Sequence, residues 1–377
     1  MTFNRRIRRV ACSVCNAPTS PWTLGALAFM QFAVVAVSEA VAQPSQAQPP
    51  ASYVDTARAL QLYVSNRPGD HPQPDFRAQL AEKRRTDSIF TARSAGVMRF
   101  RKVMYRSSAD TLQIPAYVFE PLITRGLRQH AAMVWVHGGV HDDMDELYLP
   151  FIIEAVQRGY VIVAPDYRGS TGHGPAFYNA IDYGGAEVDD VEAAMSVFRD
   201  IPAVDPARIG VMGWSHGGLI AAHLLFRGAK TPFKAGAAIV PVTNLVFRLS
   251  YKGPNYQRHF STQPQLRGLP FENRDEYIRR SPYYHVDSLQ RPMLVHVATN
   301  DDDVNFEESR PLIDALTARK PSLAQTKVYV NPTPGPSSGG HSFSRRVDRS
   351  TLLRNDSPEQ VDAWNQIWQF FEQQLGR

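Results

Sequence analysis

From about residue 97 the chain alternates short apolar runs rich in Val, Ile and Ala with longer stretches whose apolar positions recur at helical spacing. The runs Met98–Arg106, Ile114–Glu120, Ala132–His137, Tyr160–Ala164, Ile209–Gly213, Ala235–Val240, Met293–Ala298 and Lys327–Val330 predict strands. The stretches Glu146–Arg158, Ala186–Arg199, Ser215–Phe226, Phe306–Arg319 and Pro358–Leu375 predict helices. Several strand runs are continuously apolar, as expected where a parallel sheet is covered on both faces. Strand–helix alternation points to an α/β domain with a doubly wound, mostly parallel sheet, here assigned to residues 97–377.

Four segments lie outside this rhythm. Residues 243–284, with Tyr251, Pro254, Tyr256, Pro264 and Pro270, read as a lid-like insertion. Residues 53–96 are polar and helical in pattern, with helix candidates at Arg58–Tyr63 and Phe76–Arg84, and predict an N-terminal arm packed on the domain. Residues 1–42 combine a basic start (Arg5, Arg6, Arg8, Arg9), an apolar stretch from Leu24 to Val37 and a small-x-small site at Ala40-Val41-Ala42. That is the pattern of a signal peptide, with an apolar stretch too short for a membrane span. It predicts export to the periplasm or medium, with no stable membrane anchor after cleavage. Residues 43–52, rich in Pro, Gln and Ala, read as a flexible linker.

Export changes how charge and cysteine are read. The net charge is +5, of which the leader holds +3, leaving about +2 on the remainder, no footprint for nucleic acid. Both cysteines, Cys12 and Cys15, lie in the leader, so the remainder has no disulfide and depends on its core.

The candidate chemistry centres on Gly213-Trp214-Ser215-His216-Gly217-Gly218, placed between a strand run and a helix run. That context turns G-x-S-x-G into a nucleophile elbow: small residues two positions either side of the serine let strand and helix pass closely. A serine hydroxyl needs a base, and the base an orienter, in the chain order Ser, Asp or Glu, His, each on a loop after a strand. Ser215, an aspartate of the run Asp301-Asp302-Asp303 and His341 supply that order. The amide of His216 is a candidate oxyanion donor, joined by an amide near Gly138–Gly139 or by the His137 side chain. Trp214 is a candidate for lining the acyl pocket or for simple packing, and Arg168 reads as a pin between loops. Asp142, Asp143, Asp145 and Glu146 read as a solvated turn at a helix start, or as an attractor for a cationic substrate end. No helical H-E-x-x-H frames His137 and His141, and no ligand loop follows Asp301–Asp303, so neither a metal nor another cofactor is expected.

The chain resembles the catalytic domain of the prolyl oligopeptidase family. The matching pieces are His137-Gly-Gly139, Ala164–Gly174, Val204–Ile209, the elbow, Ser281-Pro282, Asp301–Val304 with Phe306, and Gly340–Phe343, in the family's order. The resemblance implies an α/β-hydrolase fold and selects Asp301 as orienter, with Asp302 the alternative. It also implies a peptide substrate, cleaved through an acyl-enzyme. A carboxylesterase acting on small acyl esters uses the same triad, and a non-catalytic binding protein would show a broken one. Only about fifty residues separate the leader from the hydrolase pattern, too few for the family's β-propeller. An exposed sheet edge or the arm could support a homodimer.

Overall fold

The computed structural model describes residues 73–376. The leader, the linker and the Arg58–Tyr63 helix candidate lie outside them. The described chain opens with helix α1 (Phe76–Ser94), capped by Asp75, whose carboxylate accepts from the amides of Arg77 and Ala78. Polar almost throughout, α1 buries only Lys83, Thr86, Phe90 and Ser94, one narrow stripe. Phe90 sits edge-on to Tyr117 and Phe119, which fixes the helix to the sheet.

Eight strands follow: β1 (Met98–Arg106), β2 (Gln113–Pro121), β3 (His130–Val136), β4 (Val161–Pro165), β5 (Val204–Trp214), β6 (Ala235–Ile239), β7 (Met293–Ala298) and β8 (Ala324–Tyr329). They form one sheet in the order β1-β2-β4-β3-β5-β6-β7-β8. β1 and β2 are antiparallel to their neighbours, and every pair from β4/β3 to β7/β8 is parallel.

The continuously apolar runs follow from this layering. All seven residues of β3 are buried, but they alternate between two cores. Ala132, Val134 and Val136 face one side, and Ala131, Met133 and Trp135 the other. The second side is covered by α1, α2 (Leu149–Gln157) and α11 (Pro358–Leu375), and there Trp364 stacks on Trp135, with Trp368 and Phe371 in the same core. The first side is covered mainly by α4 (Ala186–Ala193), α6 (His216–Leu225) and α10 (Phe306–Arg319). The short α3 (Pro175–Tyr178) precedes α4.

Several boundaries differ from the sequence pattern: β5 begins at Val204 rather than Ile209, α1 runs on to Ser94 rather than Arg84, and the helix expected from Glu146 opens as a 3-10 turn before α2. The single helix expected over 186–199 breaks at Ala194, whose N–H turns to Val191 O, and α5 (Met195–Phe198) resumes beyond it. The last strand begins at Ala324 rather than Lys327, because residues 324–326 pair with Met293–Val295 of β7. The insertion between β6 and β7 is a set of short helices: α7 (Leu245–Tyr251), α8 (Pro254–Ser261) and α9 (Arg274–Arg279). Its Leu245, Leu249, Tyr256 and Phe260 join the core on the α6 side, so it is packed down rather than free-standing.

Candidate active site

Ser215 stands between the end of β5 and the first turn of α6, with φ 56° and ψ −115°. A side chain rarely adopts that left-handed backbone, and holding one there costs about 1–3 kcal/mol. Its neighbours over-determine the turn. The Ser215 amide donates to Ile239 O at the tip of β6 (2.9 Å), and its carbonyl accepts from Leu219 and Val242. The glycines are needed for close passage: a Cβ on Gly213 would lie 2.2 Å from Gly217 O, and one on Gly217 would lie 2.3 Å from His137 O. Ser215 itself keeps 8% of its surface exposed.

His341 lies in a 3-10 turn, Gly340–Ser342, after β8. Its Nδ1 is 2.8 Å from Asp301 Oδ2. The other Asp301 oxygen accepts from the amides of Asp303 (2.9 Å) and Val304 (2.7 Å), so the carboxylate is fixed at both ends. The two loops are stitched by an antiparallel bridge between Asp301 and Gly339 and by Gly340 N–H to Asn300 O (2.9 Å). A Cβ on Gly340 would strike Asn300 Oδ1 at 2.2 Å, which is why this crossing needs a glycine. The histidine loop is tied back to the elbow by Trp214 Nε1–H, which donates to Ser344 Oγ at 3.2 Å. Asp302 is exposed, and its carboxylate lies against Gly339 rather than the imidazole. Ser215 Oγ makes no hydrogen bond to His341 among the described residues. Such bonds are often long without substrate and tighten when it arrives.

On its far side the imidazole meets Asp303, the aspartate of the run that the resemblance did not select. Nε2 of His341 is 3.5 Å from Asp303 Oδ2. Asp303 is held by two cations of the insertion: Arg248 Nη2 at 3.1 Å and the buried Lys252 Nζ. Arg248 also pairs with the fully buried Glu308 at 3.2 Å and donates to Tyr256 OH at 2.8 Å. Burial opposes ionisation of Asp303, but Arg248, His341 and Lys252 together hold its carboxyl well below the usual range. Burial likewise pushes the His341 imidazole down, yet Asp301 and Asp303 outweigh it and its pKa is raised. The only trace of this network in the sequence is the i, i+4 basic pair Arg248 and Lys252, whose carboxylate partners lie fifty or more residues away.

Two sequence candidates take other places. Trp214 does not line a pocket: it is 1% exposed and stacked between Trp135 (5.3 Å) and Trp364 (5.5 Å). The cause is strand alternation, which sends the residue before the serine to the α11 side. The His137 side chain is not free to meet an oxyanion. Its Nε2 bonds Ser170 Oγ (2.9 Å), its Nδ1 bonds Gly138 O (2.7 Å), and the ring stacks on Tyr167. Burial lowers its pKa to about 4. Gly138 N–H is also committed, to the hydroxyl of Tyr148 at 2.8 Å. The remaining candidate donors are the backbone amides of His216, in the first turn of α6, and of Gly139, where φ is 69°.

The acid run after this loop is not a solvated turn. Asp142, Asp143, Asp145 and Glu146 line a cavity of about 540 Å³ together with Lys83 of α1 and Arg345 of the histidine loop. Lys83 Nζ is 2.6 Å from both Asp143 and Asp166, so α1 braces the oxyanion loop. Burial, aided by Asp145 and Asp143, pushes Asp142 up to about 7, and burial likewise lifts Asp145 to about 6. Arg168 pins loops: its guanidinium bonds Asp190 and Asp110. Among the described residues no three His, Cys, Asp or Glu side chains converge as a metal cage.

Strand order, elbow and the Asp301–His341 pair define an α/β hydrolase with a serine-centred site. The model of the prolyl oligopeptidase family matches residues 149–352, more than half of the sequence, and the chain belongs to that family of serine peptidases. An uncharacterized peptidase of Bacillus subtilis, YuxL, is 29% identical over 273 residues, covering 71% of this chain and 38% of the relative. The mouse acylamino-acid-releasing enzyme is 26% identical over 218 residues, covering 55% and 29%. Among solved structures, the Pyrococcus horikoshii acylaminoacyl peptidase shares the fold with a TM-score of 0.60 at 20% identity, over 78% of this chain and 44% of that one. The chain thus spans less than two-fifths of the length of these curated relatives.

Proposed function

We propose that the chain cleaves peptide bonds by acyl transfer to Ser215. In this reading Ser215 Oγ attacks the substrate carbonyl and its proton passes to His341 Nε2. Asp301 holds the imidazole in the required tautomer and stabilises the imidazolium. The amides of His216 and Gly139 receive the oxyanion, each such donor typically worth about 3 kcal/mol in the transition state. His341 then returns the proton to the departing amine. Water repeats the sequence on the acyl-enzyme and frees the acid. One observation carries the reading above the rest: the 2.8 Å Asp301–His341 pair on a loop tied to the strained turn that presents Ser215.

Fluorophosphonate labelling tests the nucleophile. Stoichiometric modification confined to Ser215 is expected, and a folded protein that stays unlabelled refutes the mechanism. Amino-acyl and peptidyl p-nitroanilides compared with p-nitrophenyl esters test the bond cleaved, and turnover of the esters alone would make the protein an esterase. Export by the N-terminal leader belongs to the same reading, supported by its basic start, apolar stretch and Ala40-Val41-Ala42. Cell fractionation checks it.

A further inference from the structure

The parallel strands β3 to β8 all begin at one end of the sheet and finish at the other, where Ser215 and His341 sit. The starting end has a chemistry of its own. Residues 122–129, 199–203 and 230–234 lead into β3, β5 and β6, which are neighbours in the sheet, so the three segments emerge side by side. Together they carry five exposed basic residues, Arg125, Arg128, Arg199, Lys230 and Lys234, against one acid, Asp200. Among the described residues none of the five forms a salt bridge. The acid runs at 142–146 and 301–303 follow β3 and β7 instead, at the end of the reactive serine.

Apolar side chains stand within this charge. In the loop 122–129, Leu122 is 46%, Ile123 85% and Leu127 70% exposed. The backbone holds them outward. Arg125 N–H donates to the buried His130 ring at 3.0 Å, and Arg128 N–H donates to Pro202 O at 3.0 Å, so the loop is pinned on both sides of Leu127. Beside it runs a groove of about 570 Å³, lined by Leu127, Ile201 and Pro202 and by Arg99 and Arg101, which share Glu120. Isolated exposed apolar residues need no explanation, but three in one pinned loop among cations do. A soluble polyanion would engage the cations and leave Ile123 and Leu127 in water. A lipid surface engages both: apolar side chains enter the boundary of headgroup and acyl chain, while Lys and Arg meet phosphates.

We propose that this end of the sheet docks on an anionic phospholipid surface, with Ile123 and Leu127 inserted and Arg125, Arg128, Lys230 and Lys234 against the headgroups. The contact is peripheral, since among the described residues no helix is long and apolar enough to cross a membrane. Docked in this way, the protein carries Ser215 at the far end of the sheet, facing the aqueous phase. The docking is independent of which bond the serine cleaves.

Vesicle sedimentation of the full chain tests it, with phosphatidylcholine alone and with phosphatidylcholine containing about one-third phosphatidylglycerol. Partition should be about tenfold stronger on the anionic vesicle, and the difference should vanish near about 0.5 M salt, where surface charges are screened. Ile123→Ser combined with Leu127→Ser should weaken partition on the anionic vesicle about tenfold. Lys230→Gln combined with Lys234→Gln should weaken it there by about the same factor and leave the neutral vesicle unaffected. All four side chains are exposed and far along the sheet from the triad, so melting temperature and hydrolysis of a soluble p-nitrophenyl ester should match wild type. Those controls separate docking from folding and from catalysis. Equal sedimentation of wild type and both variants overturns the proposal and places any binding elsewhere on the chain. A loss with the lysine pair but none with the apolar pair also overturns it, and marks the face as a patch for a soluble polyanion.

Discussion

Asp303 sets a carboxylate oxygen 3.5 Å from Nε2 of His341, the nitrogen that must take up the serine proton. A carboxylate there stabilises the imidazolium and raises its pKa, together with Asp301. The base works only when neutral, so activity falls as pH drops through a value above the ordinary 6.5. Asp303→Asn removes that charge while Arg248 and Lys252 keep theirs nearby, and both effects favour the neutral ring. The acid limb of kcat/KM should therefore move to lower pH. A limb that stays in place, or moves up, would show that Asp303 does not act on the base.

The turn at Ser215 separates loss of chemistry from relief of strain. Ser215→Ala and Ser215→Gly should each lower kcat by about a million-fold, the loss expected when a nucleophile is removed from a unit that acts together. The glycine variant should melt higher than the alanine one, because φ 56° suits glycine and strains alanine. Equal melting temperatures would mean that the elbow stores no strain.

Tyr148 accepts the Gly138 amide from beneath the oxyanion loop and is itself fully buried. Tyr148→Phe leaves that amide without a partner, which should cost about 1–3 kcal/mol of stability. The loop also carries Gly139, so kcat should fall more than KM rises. Parallel melts and steady-state kinetics check both halves, and a change in KM alone contradicts the placement.

The cavity acids give a stability signature with a definite sign. The Asp142 carboxyl titrates near 7 in the folded protein against 3.8 for an ordinary aspartate, chiefly through burial. A carboxyl with a raised pKa destabilises the fold once the unfolded chain ionises, from about pH 4 upward, and fully above about pH 7. Asp142→Asn should therefore raise the melting temperature at pH 8 and leave it unchanged near pH 4. The reverse trend would place a favourable partner on this carboxylate.

Legibility followed the range of the interactions. β1, β7 and α11 were readable to the residue because local pattern and caps agree: Ser357 and Pro358 start α11, and Gly376 ends it. The elbow and the order Ser215, Asp301, His341 were readable because steric need writes glycines into the sequence at fixed offsets. His137 and Trp214 misled for opposite reasons. His137 carries a reactive ring whose nitrogens are spent on Ser170 and Gly138, and Trp214 lies beside the serine in sequence but on the other face of the sheet. The Asp303–Arg248–Glu308 network and the Lys83 brace join residues 55 or more apart, and no local pattern encodes such pairings.

Trp135, Trp214, Trp364 and Trp368 form a continuous row of indoles directly under the turn that presents Ser215, with successive centroids 5.1 to 5.5 Å apart. Apart from Trp22 near the N-terminus, these are all the tryptophans of the chain. The intrinsic emission and near-ultraviolet dichroism of this protein are therefore a built-in optical gauge of one spot, the footing of the nucleophile. Any treatment that loosens that footing will be seen spectroscopically without a label.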